Sequence, residues 1–210
     1  MTQSSCTIRT FQQFRDAAYA FRLPRILFSA LDLDVFNAMG HTPWSITRLA
    51  KQLKVSLRGM EILCRNLASV GLLNKSSKGY VCSPFTKRYL QQSSPDYRED
   101  YIELMHRQWG EWSLLTEAIR TGRPVDDDEP DSEDYRRSFS WAMHHRSIEP
   151  SQQISKQLPL RGARSFLDLG GGPGTYALAF LKQNPKLEAT VMDRPAALDV
   201  AKILAKQKSL

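Results

Sequence analysis

The chain has 210 residues, room for one large or two small domains, and its 41% hydrophobic and 24% charged residues are those of an ordinary globular protein. Its formal charge of +7 tolerates an acidic partner, but the basic residues are dispersed, which argues against a dedicated nucleic-acid surface. No apolar run approaches the roughly 20 residues of a membrane span, and Met1 to Arg9 lacks a signal-peptide core.

Cys6, Cys64 and Cys82 are odd in number and lack metal-type spacing, so the sequence predicts free thiols and a cytoplasmic location. From Phe11 to Met39 apolar residues recur at helical spacing, with Pro24 as the expected break between two helices. The first helix carries Phe11, Phe14 and Phe21; it packs on a partner subunit or within its own domain, and the residues do not choose. Ser45 can cap a helix with Ile46, Leu49 and Leu53, and Ser56 a second with Met60, Leu63 and Leu67, stopped by Gly71. Leu72 to Lys75 and Tyr80 to Cys82 flank a turn at Ser76–Gly79 and read as a hairpin. Pro84 starts one more helix.

Helices followed by a hairpin make a winged helix. Its second helix opens Ser56-Leu57-Arg58-Gly59-Met60-Glu61, poor equipment for reading bases or phosphates. The sequence therefore argues for a scaffold or dimerisation role over DNA binding.

A polar linker, Gln91 to Asp96, leads to a long helical pattern from Tyr97 to Thr121, with Trp109, Trp112 and Ile119 on a broad apolar face that reads as core. Gly122 and Pro124 stop it. The run Asp126 to Glu129 lacks the glycine and terminal glutamate of a calcium loop and reads as solvated. Asp131 or Ser132 caps a helix through Phe139, Trp141 and Met143; a separate short helix is expected from Gln152 to Leu158. His144 and His145 are adjacent and point to different sides of a helix, which argues against a shared metal; no metal site is predicted.

A new domain starts at about Gly162. Phe166 to Leu169 is a short apolar run expected to be a strand buried on both faces; it breaks into Gly170-Gly171-Gly172-Pro173-Gly174 and resumes as a helix. A second strand, Leu187 to Met192, ends in Asp193, an acid placed to take both hydroxyls of a ribose. Pro195 opens the last helix. A phosphate-cradling loop would need lysine after Gly174, and a dinucleotide loop would need glycine where Thr175 stands. What fits is an acid followed by alternate glycines: Asp168-x-Gly170-x-Gly172-x-Gly174.

That pattern resembles the first motif of S-adenosylmethionine-dependent methyltransferases. With Val191-Met192-Asp193-Arg194-Pro195, Ala118 to Pro124 and Phe139 to Ser147, it is similar to the small-molecule O-methyltransferases of the caffeate, acetylserotonin and polyketide-tailoring type. The resemblance implies a mainly α winged-helix dimerisation domain (1–95), connecting helices lining a pocket (96–161), and the first part of an α/β Rossmann-like methyltransferase domain (162–210), truncated. It implies a homodimer, S-adenosyl-L-methionine as cofactor, and SN2 methyl transfer to a hydroxylated aromatic or polyketide-like small molecule. By resemblance Gly170, Gly171, Gly172, Asp193 and Ser147 contact cofactor and Met143 contacts substrate. Arg194 departs from the leucine usual at its position. The family's general-base histidine lies beyond Leu210, none of the four histidines sits in a matching context, and the chain alone is expected to be inactive. A non-catalytic cofactor-binding or assembly subunit and a DNA-binding regulator are the other readings.

Overall fold

The computed structural model describes residues 7–124, 132–158, 160 and 162–208. Cys6, the acidic run 126–129 and Asp131 lie outside them. The chain divides into two compact units, Met1–Tyr97 and Arg98–Leu210.

In the first unit, Thr10 opens helix α1 (Phe11–Tyr19) with a reciprocal cap to Gln13. The next break falls at Ala20 and Phe21, ahead of Pro24. Helix α2 (Arg22–Asp32) takes that proline into its first turn, where its missing N–H forfeits no helical bond. The stretch also yields a third helix, because Asp34 adopts φ +53° and re-aims the chain into α3 (Val35–Met39). Ser45 caps α4 (Ile46–Gln52) and Ser56 caps α5 (Leu57–Ser69), each hydroxyl accepting a main-chain N–H three residues on. Strands β1 (Leu73–Ser76) and β2 (Gly79–Cys82) pair antiparallel, Leu73 opposite Cys82. Trp44 and Tyr80 exchange two main-chain hydrogen bonds, of 2.7 and 2.9 Å, so the wing is strapped on its open edge. Gly79 makes that strap possible: a Cβ there would lie 2.1 Å from the Trp44 carbonyl oxygen.

Helix α6 (Pro84–Tyr89) closes the unit. Thr86 Oγ1 donates to the Leu72 carbonyl at 2.7 Å, and Gln91 Nε2 donates to the carbonyls of Phe36 and Gly40. Between these elements Val35, Phe36, Met39, Leu49, Met60, Cys64, Leu67 and Leu73 are all buried. Burial pushes both the Cys64 and Cys82 thiols up to about 11, which makes them inert as nucleophiles at neutral pH.

The second unit departs from the sequence expectation in three places. The long helix is two: α7 (Glu99–Ser113) and α8 (Leu115–Thr121) meet at Leu114, and Trp112 and Ile119 are 68% and 74% exposed rather than core. Gly122, at φ +68°, ends α8. The two helices expected around Gln152 are one, α9 (Glu133–Gln157), with Pro150 inside it. Proline removes one rung of the ladder, but α9 is packed against α7 as well as two later helices, α10 (Thr175–Gln183) and α11 (Pro195–Gln207). Arg98 also clasps it, donating to the His145 carbonyl at 2.6 Å and to Glu149 at 3.1 Å. The buried positions of α9 are small: Ser140, Ala142, Ser151 and Ser155. Small residues let neighbouring helices come close, and that explains how so polar a helix sits at the centre.

The third departure is the sheet. Strands β3 (Ser165–Leu169) and β4 (Glu188–Met192) pair parallel, Phe166 opposite Ala189 and Leu169 opposite Met192. They are not buried on both faces. Alternate residues Phe166, Asp168, Ala189 and Val191 turn to the side on which α10 and α11 pack, with Phe166 against the Phe180 ring. Leu167, Leu169 and Met192, on the other side, are 59%, 73% and 60% exposed. Among the described residues no element packs over them. No helix of the described residues is long and apolar enough to cross a membrane.

Candidate functional site

The glycine turn between β3 and α10 places three left-handed residues in five: Gly170 at φ +69°, Gly172 at +55° and Gly174 at +69°. L side chains rarely tolerate that geometry, so the glycine spacing is a backbone requirement. Gly171, between them, is required for a different reason. A Cβ there would sit 2.5 Å from the Asp168 carboxyl carbon. The acid at the strand end is thus tucked directly beneath the turn. Burial raises the Asp168 carboxyl above its usual range, the Ala177 main-chain N–H pulls it back, and Asp193 nearby raises it again. Its Oδ2 is buried with no hydrogen-bond partner among the described residues.

Asp193 ties the two strand ends together. Its Oδ2 accepts the Gly172 N–H and its Oδ1 the Arg194 N–H, both at 2.6 Å. The Gly170 N–H donates to the Met192 carbonyl at 2.8 Å, and that of Gly174 to the Gly171 carbonyl at 2.9 Å. Each carboxylate oxygen of Asp193 keeps a further lone pair, so the group can hold the turn and still accept from a ligand.

Above the turn opens a cavity of about 350 Å³. Gly172 and Pro173 form one wall with Asp193, Arg194, Ala196 and Ala197; the opposite wall is the face of α9 bearing Tyr135, Arg136, Phe139, Ser140 and Met143. Of the residues singled out from sequence, Gly172, Asp193 and Met143 therefore meet at one cavity. Gly170 and Gly171 shape the turn without lining it. Ser147 is half-buried on α9, one turn beyond Met143, and is not in the lining. Sequence reasoning missed Tyr135 and Phe139 as lining residues, although their spacing from Met143, eight and four residues, was visible.

It also missed the role of His144. Nδ1 of that residue lies 2.8 Å from Thr175 Oγ1, at the start of α10. Burial first, then His145, Lys208 and Arg98, push the His144 imidazole down to about 4, so it is neutral at physiological pH. The same desolvation lowers His145. No histidine lines the cavity among the described residues, and none there holds three metal-ligating side chains together.

Known proteins share this architecture. Residues 16–92 match the O-methyltransferase dimerisation domain, and residues 112–209 match the O-methyltransferase domain. The 3-hydroxy-5-methyl-1-naphthoate 3-O-methyltransferase of Streptomyces sahachiroi is 28% identical over 86% of this chain and 54% of its own length. An O-methyltransferase family protein from Burkholderia thailandensis superposes with a TM-score of 0.78 at 25% identity, covering 97% of this chain and 62% of that one. Human N-acetylserotonin methyltransferase, solved in complex with SAM, does so with a TM-score of 0.73 at 26% identity, covering 97% and 64%. The chain spans about half the length of the curated relatives it matches. Between them the two domain matches take in both units, and the chain belongs to the S-adenosylmethionine-dependent O-methyltransferase family.

Proposed function

We propose that this chain supplies the cofactor floor of an O-methyltransferase that acts on a hydroxylated aromatic or polyketide-like small molecule. The observation that carries the reading is the Asp193–Gly172 link beside the cavity. A turn of left-handed glycines leaves the backbone bare for a ligand to lie on, and Asp193 is poised beside it to accept from ribose hydroxyls. The residues fit S-adenosylmethionine for a second reason. This turn has neither the lysine nor the third glycine of a phosphate site, and that cofactor carries no phosphate. When bound, it supplies an electrophilic methyl on a sulfonium. Gly170, Gly171, Gly172 and Asp193 hold it, Ser147 neighbours its amino-acid end, and Met143 faces the acceptor.

The hydroxyl must lose its proton as it attacks, which calls for a general base. Met143, Phe139 and Tyr135 can orient and dry an aromatic acceptor, but none of them is assigned the role of base. None of the four histidines of this chain serves as that base, and the 210-residue chain alone binds cofactor without transferring methyl. Residues 1–95 act in dimerisation, 96–161 line the pocket and 162–210 bind cofactor. Phe11 and Phe14 on α1, 78% and 53% exposed, support a homodimer, and the free thiols of Cys64 and Cys82 support a cytoplasmic location.

Calorimetry with S-adenosylhomocysteine tests the floor: wild type binds and Asp193→Ala does not. Incubation with isotope-labelled cofactor and hydroxyaromatic acceptors tests the base, since labelled product from this chain alone would refute its absence.

A further inference from the structure

The cavity is only as wide as the gap between α9 and the glycine turn, and a side-chain hydrogen bond joins α9 to the start of α10 beside it. His144 follows Met143, which lines the α9 wall. Thr175 follows Gly174 and lies three residues from Gly172, in the opposite wall. Between them runs the 2.8 Å hydrogen bond from His144 Nδ1 to Thr175 Oγ1. Thr175 is 6% exposed, so water cannot readily replace that partner.

Helix α10 has particular need of such a tie. Its cap is Gly174, which has no side chain to accept the first N–H groups, and α10 has no side-chain cap. The junction on which the turn depends is therefore held by its own main chain, by Asp168 beneath it and Asp193 beside it, and by what reaches it from α9. His144 is itself fixed, with its ring edge-on to Trp141 at 5.9 Å and 5.8 Å from the ring of His145. Burial first, then His145, Lys208 at the end of α11 and Arg98 at the start of α7, disfavour a proton on His144.

We propose that His144 is a positioning residue for the cofactor turn: through Thr175 it locks the start of α10 to α9 and so sets the separation of the two cavity walls. The inference rests on reading the turn as the cofactor floor, and it assigns His144 no contact with cofactor or acceptor.

Amide hydrogen exchange on the full 210-residue chain tests it, read at three hydrogen-bonded amides of the turn: Gly172, Gly174 and Leu178. His144→Leu and Thr175→Val, which keep shape but remove the polar atom, are expected to speed exchange there about tenfold, with the double variant no worse than either single. His144→Asn, which keeps a polar atom at the Nδ1 position, restores protection to within about twofold. Amides of α5, in the other unit, do not change. S-adenosylhomocysteine affinity falls about tenfold in the first two variants and recovers in the third. Unchanged exchange at the turn overturns the proposal. So does faster exchange spread evenly through α9, α10 and α11 without rescue by asparagine, the mark of a merely structural histidine. If the wild type binds no S-adenosylhomocysteine while the exchange pattern holds, the cofactor reading fails and the tie between His144 and the turn stands.

Discussion

The two units solve the same problem, covering apolar surface, to different degrees. In the first, α2 to α6 and the wing enclose one core in which Phe36, Met39, Leu49, Met60, Leu67 and Leu73 are 2% exposed or less. In the second, a two-stranded parallel sheet is covered on one side only, and Leu167, Leu169 and Met192 stand more than half exposed on the other. Parallel strands are ordinarily covered on both faces. The glycine turn and its cavity thus rest on the less complete scaffold. Its glycine turn holds its form through local ties (Asp193 to Gly172, Asp168 under Gly171, His144 to Thr175) rather than through a deep core.

The contrast is sharpest in the first unit. Leu67→Ala leaves a cavity in a core with no slack, and should lower unfolding free energy by about 2–5 kcal/mol in a denaturant titration. In the turn, Gly171→Ala drives a methyl against the Asp168 carboxyl, 2.5 Å away. Either the acid leaves its Ala177 bond or the turn lifts, and we expect a loss of about 1–3 kcal/mol. S-adenosylhomocysteine binding should drop with it, whereas Leu67→Ala should leave the affinity of the folded fraction unchanged. A Gly171→Ala variant as stable as wild type would mean that the turn is slack.

How much of this was legible beforehand follows the same divide. Caps and turns obey local chemistry, and Ser45, Ser56, Ser83, Ser132 and the hairpin glycine Gly79 all stand where sequence puts such residues. The glycine turn and Asp193 were legible because left-handed backbone leaves a strict signature. Errors arose where tertiary packing overrides a local signal. Gln152 to Leu158 reads as a separate helix until Arg98 and three flanking helices are seen to hold α9 through Pro150. Leu167 and Leu169 read as buried because their apolarity says nothing about whether a second layer lies over them. Of the cavity lining, Gly172, Asp193 and Met143 were singled out by motif resemblance, while His144, beside it, was set aside. Its partner Thr175 is 31 residues away, and no periodicity connects them.

Acid should act on the second unit before the first. His144 has an ordinary imidazole pKa near 6.5 in the unfolded chain and about 4 when folded. Between those values the unfolded state binds the proton and the folded state does not, so stability falls as pH drops from about 6.5 to 4 and is fully present above 6.5. His145 shifts in the same direction and adds to the slope. Taken in full the His144 shift is worth about 3 kcal/mol, and the partial exposure of the ring screens the effect to on the order of 1–2 kcal/mol. Melting curves from pH 7 to pH 4.5 should show it, and His144→Asn should flatten the slope; an equal slope in that variant would assign the loss to other groups.

The smallest expected effect bears most directly on the bare sheet face. Leu169 is 73% exposed, so exchanging it for a polar β-branched residue removes little burial and keeps strand propensity. Leu169→Thr should therefore change stability by less than about 0.5 kcal/mol, against several for Leu67→Ala. It should also reduce self-association, since Leu167, Leu169 and Met192 form a contiguous apolar strip on the parallel pair. Sedimentation of wild type and variant at matched concentrations measures this. If Leu169→Thr instead lowers stability as much as a core substitution, the face is covered in solution, and the contrast between the two units disappears.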